Sequence, residues 1–249
     1  MRDVMSEPSG VTISLLPNTG IISCMVFKPE LSALGIEESR VVYLEQKYHR
    51  DPEILLEKVK ASLAVLEQNN DLEAVILLYG YCGGGLANLS SDRVSLIIPL
   101  AHDCIPLFLG VRPPDDDSGS GNAFYLNPGW IDHGLTPYTE YFKAVEIYGQ
   151  EDALWLGMEM LKNYREVILV ETIAGVKPHH RRYARNMADL FNLAFREIKT
   201  DTSWIADLLS GKICKHTRVI RPGTPICIGL YPSTGHMALR SVKEASYEY

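Results

Sequence analysis

The chain has 249 residues, which suits one large domain or two small ones. Its formal net charge of −7 argues against nucleic acid as a partner, because phosphate binding needs a basic surface. No apolar run approaches the roughly 20 residues that span a bilayer, and the first ten residues lack the pattern of a signal peptide. We therefore expect a cytoplasmic protein with no membrane partner. Its five cysteines are expected to be free thiols or metal ligands rather than a disulfide framework.

The first half of the chain alternates short apolar runs with one amphipathic helix. After a tail at residues 1–10, the sequence predicts strands at Val11–Leu16, Gly20–Phe27, Val41–Glu45, Ala74–Leu78 and Val94–Pro99. Asp51-Pro52-Glu53 predicts the start of a helix, because an acidic cap and a proline both suit the first turn. Strand, helix and strand in this order predict a parallel sheet with a crossover connection.

The second half repeats this alternation after a loop or lid at Arg112–Ala123, which is rich in proline, glycine and aspartate. Phe124–Trp130 reads as an extended piece broken by a Pro-Gly turn. Further helices are predicted at Thr136–Gly149, Glu151–Asn163, Lys177–Leu193 and Thr202–Leu209, and further strands at Glu166–Glu171, Ala194–Ile198 and Thr217–Ile220. Within Glu151–Asn163, the spacing of Leu154, Met158 and Leu161 places them on one face of the helix.

These elements predict an α/β fold with two Rossmann-like lobes built on parallel sheets. The first lobe is expected at 11–125 and the second at 126–230, with tails at 1–10 and 231–249. One continuous, mostly parallel sheet flanked by helices is the alternative.

Three cysteines are expected at one edge of the first sheet. Cys24 lies late in a strand, whereas Cys82 and Cys104 follow the ends of two others, and the carboxyl ends of parallel strands share one edge. Three thiolates suit zinc or an iron–sulfur cluster and leave a coordination position for substrate. The sequence has no C-x-x-C pair, so Cys24 in particular can equally be a small buried hydrophobe.

Histidine and aspartate accompany the thiols. His49 follows a predicted strand, and His102 and Asp103 directly precede Cys104. With Asp103 as the cap and Cys104 at the first helical position, the helix dipole is expected to favour the Cys104 thiolate. His102, Asp103 and His49 are therefore the candidate catalytic residues.

A run of three glycines, Gly83, Gly84 and Gly85, follows Cys82. Glycines permit the close approach of a ligand, so we predict that they bind a cofactor; a tight turn is the alternative. The run is neither a P-loop nor a dinucleotide fingerprint, because the flanking residues that these motifs require are missing.

Several motifs carry a family resemblance. The segments IISCMVFKPEL, YGYCGGGL, IIPLAHDCIPLFLG, FYLNPGW and DTSWIADLLSGK, together with His49-Arg50-Asp51-Pro52, resemble the DUF1638 family over roughly residues 20–221. Ala101 replaces the arginine expected before His-Asp-Cys. The resemblance implies Cys24, Cys82, His102, Asp103 and Cys104 as functional positions. It also implies a setting beside corrinoid-dependent methyltransferases.

We therefore expect a metal-thiolate enzyme, a transferase or lyase, that acts on a small anionic or thiol substrate in corrinoid-linked methyl transfer. The expected partners are a small-molecule substrate and a corrinoid protein or methyltransferase. Two alternatives remain: a metal-free enzyme that uses cysteine as acid, base or nucleophile, and a non-enzymatic protein that holds a cofactor for a methyltransferase.

Overall fold

The computed structural model describes residues 13–112 and 122–231 and contains two separate sheets. The five strands of the first sheet are β1 (Thr19–Cys24), β2 (Val41–Leu44), β3 (Ala74–Leu78), β4 (Ser95–Pro99) and β8 (Thr217–Ile220). Their order is β2-β1-β3-β4-β8, and β8 alone runs antiparallel to its neighbour. The three strands of the second sheet are β5 (Ala123–Leu126), β6 (Glu166–Glu171) and β7 (Ala194–Lys199), all parallel.

Helices connect and flank these strands. They are α1 (Lys28–Ala33), α2 (Pro52–Leu66), α3 (Ile105–Leu109), α4 (Pro128–His133), α5 (Pro137–Tyr148), α6 (Gln150–Leu161), α7 (Pro178–Leu190) and α8 (Ser203–Leu209). Short 3-10 turns occupy Met25–Phe27, Glu38–Arg40, Gln46–Arg50, Cys82–Gly84 and Ile228–Leu230. None of the helices in the described ranges has the length and apolarity needed to cross a membrane.

The predicted α/β fold with parallel sheets is confirmed, and the strands form two sheets rather than one. The chain does not stay in the second sheet after β7: α8 packs on β4, and β8 pairs with β4. Residues beyond 200 therefore return to the first sheet, so the lobes do not divide at 126–230 as expected. An antiparallel edge strand needs no crossover connection, so the sequence pattern did not indicate this return.

Several element boundaries differ from the prediction. β1 ends at Cys24 because the chain turns into a 3-10 helix, and Val26 and Phe27 are buried in that turn. Pro128-Gly129 opens α4 rather than a turn, since the Asn127 side chain accepts a hydrogen bond from the backbone N–H of Trp130. Residues 13–16 form no strand, and the rest of Val11–Leu16 and most of the loop Arg112–Ala123 lie outside the described residues.

The carboxyl ends of the two sheets face each other. Glu30 of α1, in the first lobe, accepts hydrogen bonds from Asn127 after β5 and Thr172 after β6. Thr200 after β7 donates to the Phe108 carbonyl of α3. A crevice between α3 and the ends of β5 and β6 is too narrow to hold a water molecule. The second lobe therefore packs against the edge predicted to carry the chemistry.

Candidate thiol site

The segments that follow β3 and β4 are held together by backbone contacts. Tyr81 N–H donates to the Ala101 carbonyl at 2.8 Å, and Cys82 N–H donates to the His102 carbonyl at 3.0 Å. At Gly80, a Cβ atom would lie 2.4 Å from the backbone of Asp103. The two segments therefore approach as closely as they do because residue 80 has no side chain.

This approach brings two of the predicted thiols into contact. The Sγ atoms of Cys82 and Cys104 lie 3.6 Å apart, although 22 residues separate them in the chain. Cys104 is buried and Cys82 is half-buried. Cys82 has a φ of +46°, a left-handed conformation that non-glycine residues rarely adopt and that is concentrated at functional sites.

Cys24 is near this pair but not in contact with it as a third ligand. It is fully buried at the end of β1, and burial together with the charge of Cys104 raises the pKa of its thiol. In the part of the chain that the structure describes, Asp132, His179 and His180 form the one group of three candidate ligand atoms within 4.8 Å of one another. The three sulfur atoms therefore do not all lie within that distance.

The Cys82 thiol prefers its protonated form. A hydrogen bond with Cys104, burial, and the charges of Cys104, Asp103 and Cys24 all raise the pKa of Cys82 well above its usual value. The local helix also differs from the prediction, because α3 begins at Ile105 and has only five residues. Cys104 thus precedes the helix rather than occupying its first position. The carboxylate of Asp103 nevertheless accepts a hydrogen bond from Ile105 N–H at 2.7 Å, as expected of a cap.

His102 and Asp103 lie beside each other at the edge. The His102 Nε2 atom is 3.1 Å from the second carboxylate oxygen of Asp103. The charge of Asp103, after the larger effect of burial, raises the pKa of Tyr164 in the second lobe. Asp103 therefore lies near the second lobe, and catalytic roles for His102 and Asp103 stay predictions.

His49 joins the site through an aromatic contact. Its ring stacks on Tyr79 with centroids 5.5 Å apart, and burial lowers its pKa to about 4. Its Nε2 atom is buried without a hydrogen-bond partner among the described residues. At neutral pH His49 is therefore an uncharged imidazole with one unused nitrogen.

Tyrosine hydroxyls line the same region, and they were not among the predicted site residues. Tyr79 is fully buried, and burial followed by the charges of Cys24, Cys104 and Cys82 raises its pKa. The Tyr231 ring packs at a tilt against the Tyr81 ring, with centroids 4.9 Å apart, and the charge of Cys82 adds to the effect of burial in raising the pKa of Tyr231. Neither hydroxyl has a hydrogen-bond partner within residues 13–112 and 122–231. The sequence signal for these tyrosines was their position alone, because Tyr79 directly follows β3 and Tyr231 lies late in the chain.

The glycines after Cys82 form a tight turn. Gly83 and Gly84 have φ values of +69° and +101°, and a Cβ at Gly85 would lie 2.4 Å from Leu55 of α2. Gly85 therefore allows α2 to pack against this turn. Cofactor binding by Gly83, Gly84 and Gly85 stays a prediction.

Replacing Tyr79 with phenylalanine should stabilise the protein in the absence of a ligand. A buried hydroxyl without a partner costs about 1–3 kcal/mol, and phenylalanine keeps the ring and its stacking on His49. Chemical denaturation of both proteins should give an unfolding free energy higher by about 1 kcal/mol for Tyr79→Phe. Tyr43→Phe is a control at a half-buried tyrosine. If Tyr79→Phe lost stability and Tyr43→Phe did not, the Tyr79 hydroxyl would already have a hydrogen-bond partner.

A second polar cluster lies between α4 and α7, at Asp132, His179 and His180. Asp132 is 3.3 Å from His179 Nε2 and 3.2 Å from His180 Nε2. However, His180 Nδ1 accepts the backbone N–H of Lys177, so its hydrogen is carried on Nε2 and points to Asp132. Metal ligation at that nitrogen would leave both ring nitrogens without a hydrogen. The cluster therefore joins two helices by hydrogen bonds.

The fold and the site define a class: a two-lobed α/β protein with a thiol pair at the carboxyl edge of its larger sheet. The family model described as "Protein of unknown function (DUF1638)" matches residues 43–209, about two thirds of the chain, so the protein belongs to the DUF1638 family. The match includes Cys82 and Cys104 but not Cys24. Comparison with curated proteins found no match, and neither did comparison with solved structures.

Proposed function

We propose that Cys82 and Cys104 bind a single thiophilic divalent ion such as zinc, and that the protein is an enzyme acting on a small molecule at this edge. The observation that carries the proposal is the 3.6 Å separation of the two sulfur atoms. Two thiolates on one tetrahedral zinc, with bonds of about 2.3 Å, lie about 3.8 Å apart. In a cubane cluster each cysteine binds a different iron, which separates the sulfurs further, so a single ion is favoured over an iron–sulfur cluster.

The electrostatics of the pair support the same proposal. Each nearby charge, from Cys104, Asp103 and Cys24, raises the pKa of Cys82, so two neighbouring thiolates need a compensating cation. The fit is incomplete, because among the described residues only two ligands are in place. Cys24 is the nearest further thiol and would have to move toward the pair to become the third ligand.

A zinc ion held by thiolates supplies Lewis acidity and can activate a bound thiol. Around the pair, the chain offers neutral groups: the His49 imidazole, through Nε2, and the Tyr79 hydroxyl can each form a hydrogen bond with a substrate. The charged groups beside Cys82 are anionic. They favour a thiol or a neutral substrate over the small anionic substrate that the sequence also predicted. Corrinoid-linked methyl transfer to a thiol is a reaction that such a site can serve, and it stays a prediction of the family resemblance.

Metal binding tests the proposal directly. The full chain, purified without oxygen and with reductant, should bind one zinc ion, and cobalt as a substitute should show sulfur-to-cobalt charge-transfer absorption. Cys82→Ser and Cys104→Ser should each weaken zinc binding by about a hundredfold, because a thiolate ligand is lost. Cys227→Ser, at an exposed thiol, should bind as the wild type does. Unchanged affinity in the first two variants would refute the proposal, and Cys24→Ser reports whether Cys24 is the third ligand.

The alternatives differ in what they require of the same geometry. A pair of cysteines acting as acid and base on opposite faces of a carbon needs that carbon between them, and sulfur atoms in contact leave no such space. A single nucleophilic cysteine would instead give one rapidly alkylated thiol in metal-free protein. A non-enzymatic accessory role would show as a stable complex with a methyltransferase or corrinoid protein and no turnover.

A further inference from the structure

Helix α6 is apolar on its outer face as well as its inner face. Ala153, Gly157 and Leu161 are its buried residues. On its outer side Trp155 is 63% exposed and Met158 is 48% exposed. A helix that is apolar all round is normally buried all round, so this outer face indicates a partner that covers it.

The outer face is an ordered stripe. Glu151, Trp155, Met158 and Lys162 follow one another at spacings of four, three and four residues, which places them in one line along a helix. All four are exposed. The stripe therefore has an acid at one end, two apolar residues in the middle and a base at the other end. We call it the α6 stripe.

We propose that the α6 stripe pairs with the α6 stripe of a second copy of this chain, antiparallel across a two-fold axis. The midpoint of the stripe lies between Leu156 and Gly157, so the axis brings Glu151 opposite the partner's Lys162 and Trp155 opposite the partner's Met158. By symmetry each contact occurs twice. Sulfur against an aromatic ring and glutamate against lysine are both favourable pairs.

The surroundings of the stripe favour this occupant. Only Gly149 separates α5 from α6, so Ile147 and Tyr148, 70% and 58% exposed, lie beside its N-terminal end and enlarge the apolar area. This enlargement matters because a stable interface buries about 1,200 Å² or more in total. An anionic lipid surface is disfavoured, since Glu146, Glu151, Asp152 and Glu159 surround the apolar residues.

The experiment is sedimentation of the full chain with reductant over a range of concentrations. The wild type should dimerise reversibly. Trp155→Ala should weaken dimerisation by about a hundredfold, because a central tryptophan is lost twice. Met160→Ala is the matched control: Met160 is 58% exposed on the same helix but lies well around the helix from Trp155, so its loss should leave dimerisation unchanged.

A charge exchange tests the antiparallel register itself. Glu151→Lys and Lys162→Glu should each weaken the dimer, since each places like charges together, and the double variant should restore it. A double variant as weak as the single ones overturns the proposal. A wild type that remains monomeric also overturns the proposal. This holds even if the wild type binds anionic vesicles through Trp155, or if a variant that lacks residues 232–249 dimerises. Zinc binding is measured separately, so failure here leaves the proposed metal site untouched.

Discussion

Replacing Gly80 with alanine should destabilise the protein by about 3 kcal/mol and separate Cys82 from Cys104. The added methyl group would lie 2.4 Å from the backbone of Asp103, which cannot move aside as a flexible side chain would. The segments after β3 and β4 must then part, and the hydrogen bonds that Tyr81 and Cys82 donate across the gap must lengthen. The thiol pair is thus the part of the molecule most directly affected.

Two measurements check this expectation. Chemical denaturation gives the loss in unfolding free energy, and a trivalent arsenical, which bridges two neighbouring thiols, reports their proximity in the folded protein. Gly229→Ala is the control, because a Cβ there meets nothing within 4 Å. If Gly80→Ala bound the arsenical as tightly as the wild type and unfolded at the same denaturant concentration, the contact between the two segments would not be what positions the thiols.

Glu30→Gln should raise the stability of the protein at pH 8 by about 3 kcal/mol and leave it nearly unchanged at pH 4. The Glu30 carboxyl is fully buried where the lobes meet, and burial raises its pKa to about 7 despite hydrogen bonds from Thr172 and Asn127. Its second oxygen, Oε2, has no partner among the described residues. Glutamine keeps the accepting oxygen and removes the buried charge.

The direction of this pH dependence follows from proton binding to Glu30. Between pH 4.5 and about 7 the folded protein holds this proton more tightly than the unfolded chain, so the unfolding free energy falls as pH rises through that window. His49 acts in the opposite sense, because its pKa is lowered to about 4 in the folded state and stability is lost as pH falls below 6.5. The difference between wild type and Glu30→Gln cancels the His49 contribution.

Denaturation at several pH values between 4 and 8 measures the Glu30 effect. Glu57→Gln, an exposed position on α2, should show the pH dependence of the wild type. Parallel pH profiles for wild type and Glu30→Gln would contradict the prediction.

Local sequence patterns were enough to predict the frame that carries the thiols. Strands β3, β6 and β8 have the predicted bounds, since short apolar runs between polar turns leave little choice. Because parallel strands end at one edge of a sheet, the proximity of Cys82 and Cys104 was predicted correctly. The close approach itself depends on Gly80, whose role is visible only once Asp103 is placed beside it.

Features that depend on tertiary contacts could not be predicted in this way. The burial of the Tyr79 hydroxyl and of the Glu30 carboxyl depends on neighbours far away in the chain. That hydroxyl has no hydrogen-bond partner in the part of the chain that the structure describes. The short helix α3 begins one residue later than its capping pattern indicated. Met158 shares a predicted helix face with Leu154 and Leu161, but α6 is apolar on both sides, so periodicity alone cannot choose which side faces the core.

Trp130 has a consequence for how the molecule unfolds. Its side chain packs against the apolar cores of both lobes. Beside it, Gly129 lies so near the Val26 carbonyl that a Cβ atom would be 1.7 Å from that oxygen. Unfolding of either lobe exposes Trp130 and so removes packing from the core of the other lobe. We therefore expect the two lobes to unfold as one cooperative unit, so that a destabilising change in either core destabilises both.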